Sequence, residues 1–243
     1  MKENIKDYIY EELLPQVEKP GRYIGTEWNS IHKDPSQVDI RFAFCFPDVY
    51  EVGMSHLGMK ILYHMLNERS DVYCERVFAP WDDMEEKMRQ NNIPLFALES
   101  RDAVAEFDFI GFTLQYEMSY SNVVNMIDLA GIPLLSTQRE EGQPFICAGG
   151  PCAYNPEPLA EIIDFFIMGE GEEILGELID EYKQWKEEKG TRLEFLDRVS
   201  KIDGVYVPRF YSFEYNEDGT IARMIKAGEQ YPDKIRKRII KDL

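Results

Sequence analysis

The feature that most restricts what this chain can become is a series of short, largely apolar runs at 40–46, 72–78, 109–114, 145–148 and 165–168. Segments with helical periodicity lie between them at 54–67, 82–91 and 119–130, and a fragment at 94–98 reads as a further strand. Strands buried on both faces of a parallel sheet appear as such runs, and the helices between them cover the faces. The predicted fold class is therefore α/β: a doubly wound, mainly parallel Rossmann- or flavodoxin-like sheet.

Three regions follow: an N-terminal helix and arm over 1–36, the α/β domain over 37–190, and a C-terminal extension over 191–243. Ile5, Tyr8, Ile9 and Leu13 give residues 3–14 a helical spacing that Pro15 stops. In 54–67 the stripe Met54, Leu57, Ile61, Leu62, Met65 and Leu66 is expected to face the core, with His56 on the other side. A long acidic helix after Gly171 is expected to end at Gly190. The extension reads as a β-hairpin over 205–224, turning at Asp218-Gly219.

With 44% hydrophobic residues, 243 residues can bury a substantial core. The balance of 27 basic against 45 acidic residues, a net charge of −18, repels phosphate backbones and anionic lipids, so no nucleic-acid or membrane-surface partner is expected. No window approaches the roughly 18 apolar residues of a membrane span. The N-terminus lacks a signal-peptide core, which makes a cytoplasmic location the expectation. The four cysteines are expected to be reduced packing residues.

Ligands of open parallel sheets bind outside the carboxyl ends of the strands, so the residues following each run are the candidates. After the first come Asp48, Tyr50, Glu51, Gly53, Met54, Ser55 and His56; the third ends at Thr113 and Leu114 and continues through Gln115, Tyr116 and Glu117. The fourth is followed by Gly149, Gly150 and Pro151, the fifth by Gly169, Glu170 and Gly171. Glycines at three of these ends mark tight turns or the close approach of a bulky group. The acids around Gly169 oppose a phosphate, and neither GxxxxGK[ST] nor GxGxxG after the first strand is present.

In this order, PGRYIGTEWN, FPDVYEVGMSHLG, IGFTLQYEMSY and CAGGPCAYNPEPLAEIIDFFIMGEGEE resemble the cobalamin-binding domain that precedes the radical domain in a subfamily of radical S-adenosylmethionine (SAM) enzymes. The signature of cobalamin domains in general runs D-x-H-x-x-G, S-x-L and G-G, its histidine binding cobalt. Here the matching residues are Asp48-x-Tyr50-x-x-Gly53, Thr113-x-Gln115 and Gly149-Gly150, with tyrosine for histidine. A phenol with a reference pKa near 10 is a poor cobalt ligand beside an imidazole. His56 is the alternative ligand, or a residue that caps or packs at the helix start. His64 reads as a surface or packing residue and His32 as a solvated one.

The resemblance implies cobalamin as cofactor, Thr113 and the Gly149-Gly150 pair near its nucleotide tail, and Gln115, Tyr116 and Glu117 along an upper edge. It implies no catalytic residue in this chain. The CxxxCxxC that holds a 4Fe-4S cluster does not occur here, so cluster and S-adenosylmethionine are assigned to a radical SAM domain of the same polypeptide. The basic tail PDKIRKRIIKDL is read as leading into it, the chain being read as an excised N-terminal part. Two alternatives stay open: a flavodoxin-like module for another small ligand, and a degenerate domain used for docking.

Overall fold

In a computed structural model of the chain, which describes residues 5–240, a six-stranded sheet forms the centre. Strands β1 (Ile40–Phe46), β2 (Val72–Phe78), β3 (Phe109–Thr113), β4 (Phe145–Gly149) and β5 (Phe165–Ile167) run parallel in the order β2-β1-β3-β4-β5. The short β6 (Val205–Tyr206) closes the far edge antiparallel to β5. The doubly wound α/β expectation is met.

Side chains of a strand alternate between faces, and each face here carries its own core. Phe42, Phe44 and Phe46 of β1 pack with one set of helices; Ala43 and Cys45 pack on the other face. The second face receives the N-terminal segment, where α1 (Ile5–Tyr8) runs into a π-turn that buries Ile9 and Leu13. After β1 come a single turn, α2 (Tyr50–Gly53), and then α3 (Leu57–Glu68), which lies on the Phe42 face. Helices α4 (Asp82–Asn91) and α5 (Tyr120–Leu129) cover the Cys45 face; α6 (Gly171–Glu188) and α7 (Arg192–Val199) join α3. All four cysteines are buried and free.

The structure corrects several local expectations. Helix α3 starts at Leu57 rather than Met54, because the Nδ1 of His56 accepts the Met59 N–H at 3.1 Å and serves as its N-cap. Its buried residues are Met59, Tyr63, Leu66 and Asn67, while Leu57 and Ile61 of the expected stripe are exposed. No strand forms at 94–98. Pro94 offers no N–H, and the Cys74 and Arg76 N–H groups of β2 are already engaged by side chains, so the segment adds a single backbone bond to β2, from Leu98 N–H to the Arg76 carbonyl at 2.8 Å, and an isolated bridge between Phe96 and Ala103.

Helix α6 ends at Glu188, with Lys189 rather than Gly190 in the left-handed conformation (φ 56°). The hairpin is β7 (Tyr211–Tyr215) and β8 (Ile221–Lys226), turning at Gly219 (φ 81°); residues 205–206 belong to the main sheet instead. Beyond it the chain returns to the strand ends. Arg238 forms a parallel bridge with Gly169, donating its N–H to the Met168 carbonyl at 2.8 Å.

Candidate functional site

The strand order reverses direction between β1 and β3, so the connections leaving these neighbours diverge and open a crevice at their carboxyl ends. A cavity of about 230 Å3 lies there, on the face covered by α3 and α6. Its walls are apolar: Phe42, Phe44 and Phe112 from the sheet, Leu62 and Leu66 from α3, Leu175 from α6. Its polar groups are few. Thr113, Gln115 and His56 line it, with Glu170 and Glu172, and no Lys or Arg is among the lining residues. A larger, open groove of about 530 Å3 between α6 and α7 is lined mainly by charged side chains already in ion pairs, including Arg198 with Glu181 and Arg238 with Glu177; it shares no lining residue with the cavity.

Eight of the eighteen candidate residues line the cavity: His56, Thr113, Gln115, Gly149, Gly150, Gly169, Glu170 and Gly171. Gln115 Nε2 donates to Thr113 Oγ1 at 2.7 Å, which fixes one amide edge within the site. Gly150 has φ 96°, and a Cβ there would stand 2.8 Å from the Leu114 carbonyl oxygen, so the turn after β4 needs glycine for its own packing. Gly169 (φ 106°) likewise makes room for the Arg238 backbone. Gly149 and Gly171 have ordinary space around the missing Cβ.

The other candidates after β1 go elsewhere. Tyr50 is not a lining residue: its hydroxyl donates to Glu27 Oε1 at 2.8 Å, and its ring meets Phe78 edge-on. Burial, aided by Glu27, pushes its pKa up to about 12. Glu27 in turn accepts from Arg76 and Ser30, and Glu51 pairs with Arg22, so this loop is sewn to the N-terminal arm. Asp48 accepts from Tyr116 at 3.1 Å, tying the loop after β1 to the loop after β3.

Gly53 admits the rings of Phe46 and Phe78, and the Met54 sulfur accepts from Arg76 Nη1. Ser55 donates to the Glu51 carbonyl. Leu114 is buried on the opposite face, and Glu117 and Pro151 are exposed at the first positions of two 3-10 turns. His64 pairs with Glu68 on the surface, and His32 is exposed.

Lining residues that the sequence reading missed include Gly58, Gly111 and Cys147. Gly111 carried a signal: a glycine inside a buried strand marks close approach, and here a Cβ would fall 2.6 Å from the Phe42 ring. Among the described residues no group of three or more His, Cys, Asp or Glu is arranged to hold a metal, and no helix is long and apolar enough to cross a membrane.

A family model described as the N-terminal region of radical SAM proteins matches residues 58–208, a span that includes the cavity except for its edge at Phe42, Phe44 and His56. An uncharacterized protein of Methanocaldococcus jannaschii is 27% identical over 165 residues. That alignment covers 68% of this chain and 28% of the relative, so the chain spans well under half of the relative's length. No solved structure matches.

Proposed function

The chain belongs to the family of N-terminal regions of radical SAM proteins, and on that premise we propose that it is the cofactor-cradling part of a larger radical SAM protein, its cavity taking the nucleotide base of a cobalamin. The observation that carries this reading is the apolar cavity at the β1/β3 reversal, with Thr113, Gln115, Gly149 and Gly150 on its lining. At about 230 Å3 it falls below the roughly 300–1,000 Å3 of sites that enclose a whole drug-sized ligand. It suits a flat, apolar base and has no room for a macrocycle. The loops at the same edge expose Val52, Leu57, Trp81, Tyr116, Met118 and Tyr154, a surface suited to a large ring or an opposing domain.

A bound corrinoid supplies methyl-carrying cobalt chemistry; the chain itself binds and orients. Phe42, Phe44 and Leu175 exclude water from the base, and the Thr113–Gln115 pair offers it polar edges. Tyr50 supplies no metal ligand, since its proton is held toward Glu27 and its pKa is raised. The radical domain, with its 4Fe-4S cluster and S-adenosylmethionine, belongs in this reading to the rest of the polypeptide. Hydroxocobalamin mixed with the purified chain is expected to co-elute on gel filtration. A corrin absorbance left wholly in the small-molecule fraction sinks the proposal.

One observation favours a second reading. Glu170 and Glu172 give the cavity an acidic mouth with no Lys or Arg on its lining, which disfavours a phosphodiester and favours a neutral ligand. Native mass spectrometry of freshly expressed protein separates the two by the mass retained.

A further inference from the structure

We propose that His56 is the hydrogen-bond donor of the cavity, held as a neutral ring with its proton on Nε2, and that it recognises an acceptor atom of the ligand without binding a metal. The inference rests on the reading of the cavity as a ligand site and says which atom does the recognising. Three contacts hold the ring. Its Nδ1 accepts the Met59 N–H at 3.1 Å, its centroid lies 5.4 Å from that of the Phe46 ring with the planes tilted by 49°, and Gly58 leaves it space, since a Cβ there would stand 3.0 Å from His56 Cε1.

An imidazole nitrogen that accepts an N–H carries no proton, so in the neutral ring the proton is on the other nitrogen. Coordination through Nε2 would require moving that proton to Nδ1, where it would oppose the Met59 N–H and uncap α3. His56 can therefore cap the helix or ligate a metal, but not both. Among the described residues Nε2 makes no hydrogen bond, while the ring lines the cavity. The Nε2–H thus remains free for an oxygen or an unprotonated ring nitrogen of an occupant. Such an atom is what an otherwise apolar, acid-mouthed site lacks a basic side chain to meet.

The test compares the 243-residue chain with His56→Ser, which keeps a hydroxyl to cap the helix but cannot reach the cavity; His56→Asn, also a good cap, replaces it if the serine variant is unfolded. Nitrogen-15 NMR of the wild-type ring is expected to show a protonated Nε2 and an accepting Nδ1, and the reverse tautomer overturns the proposal. Calorimetry with benzimidazole and with hydroxocobalamin is expected to show roughly tenfold weaker binding to the variant at an unchanged thermal midpoint.

The visible spectrum of bound corrinoid is expected to be the same in both proteins. An imidazole-coordinated spectrum that the variant loses overturns the exclusion of metal ligation. Equal affinities, or no binding of either probe to either protein, overturn the recognition role. Binding of benzimidazole without hydroxocobalamin, still weakened by the substitution, sinks the cobalamin reading alone.

Discussion

Tyr50 and His56 stand ten residues or fewer after the end of β1, yet their partners give them different work: Tyr50 is bound into the N-terminal arm through Glu27, and His56 caps α3 at the cavity. The arm is held through a chain of buried charges, in which Glu27 meets Arg76 and Arg76 meets Glu99 at 2.6 Å. Burial raises the Glu99 pKa from 4.5 to about 6, outweighing the pull of Arg76. Between those two values the folded state keeps a proton that the unfolded state has released, so this group's contribution falls as pH rises through the window. The difference amounts to about 2 kcal/mol. Glu99→Gln removes it: the unfolding free energy of the variant minus that of the wild type should grow by about 2 kcal/mol from pH 4 to pH 7. Parallel stability curves would show that the carboxyl is not perturbed in this sense.

Among the elements, β2 shows how an exposed edge of the sheet is closed. Its outward backbone groups are met by other parts of the chain: Asn67 donates to the Cys74 carbonyl and accepts its N–H, Glu99 accepts the Arg76 N–H, and Lys33 reaches the Val72 carbonyl. Asn67→Ala leaves the Cys74 amide and carbonyl without partners, at a cost of about 2–4 kcal/mol. A lower urea midpoint reads that loss, and a shift of under about 1 kcal/mol would mean that other groups take over. The strand itself was legible in 72–78, but its two charged members were not explained by pattern. Glu75 and Arg76 are buried because Arg41 and Glu99 answer them. Helix α3 was legible as a helix, whereas its first residue and its buried face were not, since a cap and a neighbouring sheet decided both.

At the scale of the whole molecule, residues beyond 190 share the core of the sheet. Phe195 is fully buried among the rings of Phe109, Phe145, Tyr182 and Trp185, and β6 pairs with β5. Burying one such side chain is worth about 1.5–3 kcal/mol. A chain ended at residue 190 is therefore expected to lose its near-ultraviolet circular dichroism and unfold without cooperativity. A sharp thermal transition in that fragment would show that the first 190 residues suffice.

The sequence by itself determined the class of fold and the edge at which a site could form, because apolar runs, helical periodicity and strand-end glycines are local properties of the chain. Only the tertiary structure decided that β1 lies between β2 and β3, that Tyr50 turns to a glutamate 23 residues away, and that His56 faces a cavity shared with β3, β4 and α6. Those outcomes depend on which distant groups can satisfy one another once buried, and no local pattern records that.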